Sequence, residues 1–291
     1  MKTLDKLKNL MRVIWLDSVL RIFTQNKNYD SFIGKMVPNL NQYPKGTVRL
    51  IEQNGIKFEV DLHDYYGHLM YFGFNDPSQS ALLALCKPGD VIIDIGTNIG
   101  FSLLSMAKIS GTVGFVLGFE PDPVNFRQLE KNIALNNFTN IKVTQTGLGD
   151  EPGKFKLENI VEFNSGGKRI VAAGNAALSD YAEVEINTLD NFLESNVPLS
   201  KIDLIKIDVE GFEFNVLKGA TNAIRNYSPV LFIELDDNNL RQQSSGAKEL
   251  IHFLAENGYA IINAESKSSV DKETDFRNCH YDIICRRKSH T

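Results

Sequence analysis

The run Val91-Ile92-Ile93-Asp94-Ile95-Gly96-Thr97-Asn98-Ile99-Gly100 decides how this chain folds. A short apolar strand closes on a carboxylate, a glycine turn follows at once, and residues 101–108 (Phe-Ser-Leu-Leu-Ser-Met-Ala-Lys) read as a helix. Strand, tight glycine turn and helix open a doubly wound α/β sheet, in which ligands sit at the carboxyl ends of the strands. Gly96 and Gly100 let the backbone bend and approach a ligand that a Cβ would hold off.

The carboxylate bears on the ligand. A dinucleotide fingerprint reads GxGxxG and lays a pyrophosphate on a helix N-terminus. Here the pattern is DxGxxxG, and Asp94 places negative charge where a pyrophosphate needs the opposite. A ligand with an ammonium and a sulfonium suits the site better, and S-adenosylmethionine is that ligand. A second apolar strand, 113–119, also ends on a carboxylate, Glu120, twenty residues after Gly100. That is close to the spacing at which a Rossmann-type acid reaches ribose hydroxyls. Pro121 ends the strand, Asp122 can cap the next helix, and Pro123 suits its first turn.

Outward from this unit the alternation continues. Residues 124–137 are expected as a helix and 141–145 as a strand, with a glycine turn at Gly147-Leu148-Gly149-Asp150. Strands at 154–158 and 183–186 flank a Gly- and Asn-rich loop, 163–175, which is expected to cover the acceptor. Loops of this length in a compact domain usually serve function or are disordered. Then Leu204-Ile205-Lys206-Ile207-Asp208-Val209-Glu210-Gly211-Phe212-Glu213 ends a strand in three acids, followed by a helix over 215–227. The strand 230–233 ends at Glu234, and a helix at 247–257 and strands at 260–263 and 281–285 complete the pattern. Four strand-end carboxylates (Asp94, Glu120, Asp208, Glu234) on the ligand edge suggest a cationic ligand.

Upstream, 47–51 and 56–60 read as strands joined by Asn54-Gly55, a strong hairpin signal. Residues 65–74 read as an aromatic loop, with a helix at 79–86. Residues 1–45 carry eight Lys/Arg against three acids, so a chain of net charge −5 holds −10 in its remainder. Apolar residues from Leu4 to Phe23 recur at helical spacing, which gives an amphipathic basic helical extension over 1–45 and a main domain over 46–291. The extension could lie on an acidic membrane; packing on the domain or on a second copy of the chain is the plainer reading. Its uncharged runs are too short for a membrane span or signal peptide, and a cytoplasmic location is expected.

Hydrophobic content of 43% suits a globular core. The acidic balance argues against nucleic acid as a partner. Cys86, Cys279 and Cys285 show no metal spacing and read as reduced thiols, and the five histidines form no paired ligand motif.

The segments "IDIGTNIGFSLL", "GFEPDPVNFRQLEKNIALNN", "TGLGD", "TLDNF" and above all "DLIKIDVEGFEFNVLKGA" resemble the FkbM-type S-adenosylmethionine-dependent methyltransferases. The likeness spans roughly 46–265. It implies a class I methyltransferase fold: a Rossmann-like seven-stranded sheet with helices on both faces and a reversed last strand. It also implies O-methylation, commonly of a sugar or glycan hydroxyl. Asn75-Asp76-Pro77 departs from the Glu-Pro more often seen, and Thr97 adds a hydroxyl that could meet the ligand carboxylate. Nucleobase methylation is disfavoured, because Asp208-Val209-Glu210-Gly211 stands where such enzymes carry Asn/Asp-Pro-Pro-aromatic.

The expected cofactor site is therefore Asp94, Gly96, Thr97, Asn98, Gly100, Glu120, Pro121 and Asp150, the last near the adenine. Asp208 and Glu210 are the catalytic candidates, since a hydroxyl needs a base to become a good nucleophile. Asn164, Gly166 and Glu234 are expected at the acceptor. A Mg²⁺ ion held by Asp208, Glu210 and Glu234 is the alternative way to acidify the hydroxyl. Two other function classes remain: a non-catalytic S-adenosylmethionine or nucleotide binder, and an NAD-binding oxidoreductase.

Overall fold

Alternate residues of the strand at 91–95 bury themselves on opposite faces, so helices must cover both sides of the sheet. Ile93 and Ile95 join a core with Leu117, Phe119, Ile205, Ile207 and Ile233. Ile92 joins Val116, Leu204 and Phe232 in the core on the opposite face. Each such side chain, fully buried, contributes about 1.5–3 kcal/mol. The computed structural model describes residues 14–159, 164, 166–171, 181–196 and 199–288.

In chain order the strands are β1 (Val48–Gln53), β2 (Ile56–Asp61), β3 (Val91–Ile95), β4 (Phe115–Phe119), β5 (Ile141–Thr144), β6 (Gly147–Leu148) and β7 (Gly153–Asn159). They continue as β8 (Lys168–Val171), β9 (Tyr181–Asn187), β10 (Leu204–Ile207), β11 (Val230–Asp236), β12 (Tyr259–Asn263) and β13 (His280–Arg287). The main sheet has seven strands in the order β12-β13-β11-β10-β3-β4-β5. β5, β4, β3, β10 and β11 run parallel, and β13 runs antiparallel to both β11 and β12. This is the class I methyltransferase order with its reversed strand. The chain leaves β3 toward β4 and β5, then returns to β10 on the other side. The switch point, where a ligand crevice opens, thus lies between the ends of β3 and β10.

A four-stranded sheet, β6-β9-β7-β8, is inserted between β5 and β10. β1 and β2 form the expected hairpin, with Asn54 (φ 49) and Gly55 (φ 69) both left-handed at its turn.

Three elements differ from the sequence reading. The stretch at 65–74 is a helix, Tyr65–Phe72, because Asp64 caps it by accepting from the Gly67 N–H at 3.1 Å and Gly73 (φ 65) closes it. The helix expected over 215–227 is two, Glu213–Gly219 and Thr221–Tyr227. At the break Gly219 packs against Gly149, where a Cβ would lie 1.9 Å from the carbonyl oxygen. The covering loop contains a strand, β8, while residues 172–180 lie outside the described residues.

Of the basic extension, Ile14–Thr24 is helical and packs on the domain. Its buried Asp17 accepts from the Tyr43 hydroxyl at 2.9 Å and pairs with Arg49 at 3.6 Å. Lys2, Lys6, Lys8 and Arg12 lie outside the described residues. Among the described residues no helix is long and apolar enough to cross a membrane.

Candidate active site

The turn after β3 is built around one close approach. Gly96 has φ +81, and a Cβ there would lie 1.8 Å from the carbonyl oxygen of Asp208. Only glycine lets the β3 and β10 turns touch. The N–H groups of Gly96 and Thr97 both donate to Phe119 O, at 3.0 and 3.1 Å. The Thr97 hydroxyl is buried against the carbonyls of Asp94 and Phe119, so it braces the turn. Gly100 (φ 96) begins the helix Phe101–Ser110.

Glu120 lies at the end of β4, 5% exposed. Its two oxygens accept from the Asn98 N–H (2.7 Å) and the Asp122 N–H (3.0 Å). Burial pushes this carboxyl up to about 7, although both backbone bonds pull it down. Each oxygen keeps a lone pair for a further donor. Asp122 caps the helix Pro123–Ala134 and pairs with Lys168 of β8 at 2.7 Å, which ties the inserted sheet over the crevice.

These turns line an open cavity of about 680 Å³, counted to where it meets solvent. Gly96, Asn98, Glu120 and Pro121 line one side, and Leu148, Leu157, Ile170 and Val209 supply apolar walls. Gly166, expected at the acceptor, and Lys168 line this cavity too and not the larger one described below, so of the expected acceptor residues Gly166 stands apart from Asn164 and Glu234. The buried Asn98 Oδ1 has no hydrogen-bond partner among the described residues.

Asp94 does not line this cavity. It is fully buried beneath the turn, with Lys206 Nζ 3.4 Å from Oδ1 and no aligned hydrogen bond to either oxygen among the described residues. Burial raises it to about 6, against the pull of Lys206. Lys206 also reaches Asp208 at 3.1 Å and donates to Gly96 O at 2.9 Å. Burial works against its ammonium, but Asp208 and Asp94 outweigh that and raise its pKa. Asp150, expected near the adenine, instead turns outward to Lys218 (2.6 Å) and Asn215 (3.0 Å) on the helix Glu213–Gly219 and lines none of the three cavities described here.

The acid cluster after β10 divides its labour. Buried Glu213 accepts from the N–H groups of Val209 and Gly211, both at 3.0 Å, and so holds the turn. Glu210 sits in left-handed backbone (φ 54) and accepts from Asn239 Nδ2 at 3.1 Å. Burial first, then the Asp208 and Glu213 charges, push Glu210 up to about 8.

Beyond it opens a cavity of about 1550 Å³, which Asn164 and Glu234 both line. Its walls bring Tyr29, Tyr65, Tyr66, Phe74 and Phe101 together with Asp76, Asp208, Glu210, Glu234 and Asp282. A third cavity, of about 570 Å³, joins the two, with Thr97, Lys206 and Asp208 on its walls. Tyr66 and Asp208 line all three. Among the described residues no three His, Cys, Asp or Glu side chains converge into a group that could hold a metal, so Asp208, Glu210 and Glu234 do not fit the expected Mg²⁺ cage.

The family description "Methyltransferase FkbM domain" matches residues 94–261, which span the β3 turn, Glu120 and the acid cluster. The chain belongs to the FkbM methyltransferase family. Methyltransferase 1 of Beauveria bassiana (strain ARSEF 2860) is 28% identical over 185 residues, covering 58% of this chain and 72% of its own. The hexuronic acid methyltransferase AglP of Haloferax volcanii is 33% identical over 152 residues, covering 52% of this chain and 58% of its own. The crystal structure of an FkbM methyltransferase from Methylobacillus flagellatus KT aligns with a TM-score of 0.43 at 17% identity, over 76% of this chain and 55% of that one.

In this FkbM methyltransferase, sequence reading missed Tyr66, Lys206, Asp76 and Asp282. Lys206 had a signal, since a lysine inside a strand buried on both faces must meet an acid. Tyr66 would have emerged from the Asp64 cap three residues before Gly67, which marks a helix start. Asp282 had none, because its place depends on which strand β13 pairs with.

Proposed function

We propose that this methyltransferase takes the methyl group of S-adenosylmethionine and places it on a hydroxyl of a sugar or glycan-type acceptor. The donor fits the cavity of about 680 Å³ beside Glu120. Glu120 is a buried carboxylate with lone pairs left for ribose hydroxyls, Asn98 Oδ1 is an unused acceptor, and the apolar walls suit a purine. When bound, the sulfonium supplies an already activated methyl group, so the protein has to orient and deprotonate the acceptor.

The observation that carries the reading is the position of Asp208, Glu210 and Tyr66. Asp208 and Tyr66 line both the donor and the larger cavity, and Glu210 lies beside them on both. Glu210 accepts the hydroxyl proton as the new O–C bond forms and the C–S bond breaks, leaving a neutral thioether. Its raised pKa makes it a better proton acceptor than an ordinary carboxylate. Asp208, fixed by Lys206, orients the hydroxyl. The donor set supports a base over a bound Mg²⁺, because the three acids do not converge.

A methyl-transfer assay on a sugar panel tests this. Glu210→Gln should cut turnover by about 10²-fold or more, with affinity for S-adenosylhomocysteine unchanged by calorimetry. Wild-type turnover should rise with pH up to about 8, since the base works only when deprotonated. Near-wild-type turnover in both Glu210→Gln and Asp208→Asn would remove the cluster as the catalytic centre. Inactivation by EDTA with rescue by Mg²⁺ would restore the metal reading.

A further inference from the structure

The larger cavity has an unbalanced charge. Five carboxyl groups reach it, no Lys or Arg lines it among the described residues, and its one basic group, His280, pairs with Asp236 at 2.7 Å and stands only at 3.9 Å from Glu234 Oε1. Lys206, on the adjoining cavity, is committed to Asp94 and Asp208.

The imbalance is built into the sheet. In the β11–β13 register Glu234 stands directly opposite Asp282. Like charges facing across an antiparallel pair destabilise it. The buried Glu234 Oε2 has no hydrogen-bond partner among the described residues. Burial, then the surrounding acids, push Glu234 well above its ordinary value, and Asp282 up to about 6. Tyr29, Tyr65, Tyr66, Phe74 and Phe101 line the same cavity, and aromatic faces attract cations as carboxylates do.

We propose that the acceptor is an amino sugar, whose protonated amine lies beside the Glu234–Asp282 pair and these aromatic faces while a neighbouring hydroxyl meets Asp208 and Glu210. This deepens the sugar O-methylation reading and rests on it. An ammonium supplies the missing positive charge and the donor that Glu234 Oε2 lacks. It also sets this cleft apart from one shaped for a uronate, although the Haloferax relative is a hexuronic acid methyltransferase. A uronate here would add a sixth carboxyl to the five already lining the cavity. Ammonium binding should lower the carboxyl pKa values and release protons.

The test uses the full chain with S-adenosylhomocysteine bound, titrated with the methyl glycosides of glucosamine, N-acetylglucosamine, glucose and glucuronic acid. Affinity is read by calorimetry in two buffers of different ionisation enthalpy. Methyl transfer to the same four sugars is measured with S-adenosylmethionine. The amine should bind at least about tenfold tighter than its N-acetyl counterpart, with proton release, and the uronate should bind weakest. Glu234→Gln and Asp282→Asn should each erase most of that preference and leave cofactor affinity intact. Both remove a like-charge repulsion, so both should fold.

Equal affinities, or a preference for the neutral sugars or the uronate, overturn the amine proposal, while methyl transfer to any of them keeps the broader reading. Tight amine binding with no transfer to any of the four supports the charge assignment and overturns the sugar-hydroxyl reading. Binding of none overturns both.

Discussion

The two principal cavities of this molecule meet at Asp208 but are made differently. The smaller is assembled from strand-end turns that the FkbM match covers, and its most buried carboxylate, Glu120, is met internally. Glu120 has two backbone N–H groups, and Asp94 beneath it has Lys206. The larger takes Tyr29, Tyr65, Tyr66, Phe74, Asp76 and Asp282 from outside residues 94–261, and leaves Glu234 Oε2 without a hydrogen-bond partner among the described residues. The difference teaches that turns close in sequence can satisfy a buried carboxylate with their own backbone, whereas acids brought together from distant segments can be left short of a donor.

The sharpest way to break this contrast is at the contact between the two turns. Gly96→Ala puts a methyl 1.8 Å from Asp208 O at φ +81 and should abolish S-adenosylhomocysteine binding and methyl transfer together. Retained affinity, measured by calorimetry, would mean that the turns can separate without harm.

Next in size is Lys206→Met, which leaves buried Asp94 uncompensated and should lower unfolding stability by about 3–5 kcal/mol. Adding Asp94→Asn should return part of that loss in a urea titration, because the stranded charge is then gone. If the double variant is no more stable than the single, the pairing is not what Lys206 supplies.

Smallest, and confined to the donor side, is Glu120→Ala. It should weaken S-adenosylhomocysteine by about 1.5–3 kcal/mol through loss of a charge-assisted bond, with acceptor KM unmoved. An equal change in both constants would show that the two cavities are not separable.

How much of this was legible in the sequence follows the same division. Val91–Ile95 with its glycine turn, Glu120 at the end of β4 and the acids after Ile207 are local patterns, and the structure places them on adjoining strand ends as their spacing implies. Register decides the rest. Asp94 carries the strand-end signal, yet it points beneath the turn toward Lys206, a direction that spacing does not encode. Asp150 follows a glycine turn as expected, but Lys218 on the facing helix draws it away. The helix Tyr65–Phe72 was hidden because its aromatic residues obscure the period, and it carries Tyr66 into the junction. Asp282 stands 206 positions from Asp76, and only the antiparallel pairing of β13 sets both on one wall.

That antiparallel strand has an evolutionary consequence. Because β13 runs against β11, the connection 264–279 ends at the carboxyl edge of the parallel strands, and His280 and Asp282 at the start of β13 line the larger cavity. Val270, Phe276 and Cys279 of that connection are buried in the core that also holds β3, β4 and β10 side chains, whereas residues 265–269 and 271–273 are exposed and can vary without disturbing it. A lineage can therefore edit the exposed stretches just ahead of that edge while the glycine turns after β3 and β10 stay fixed.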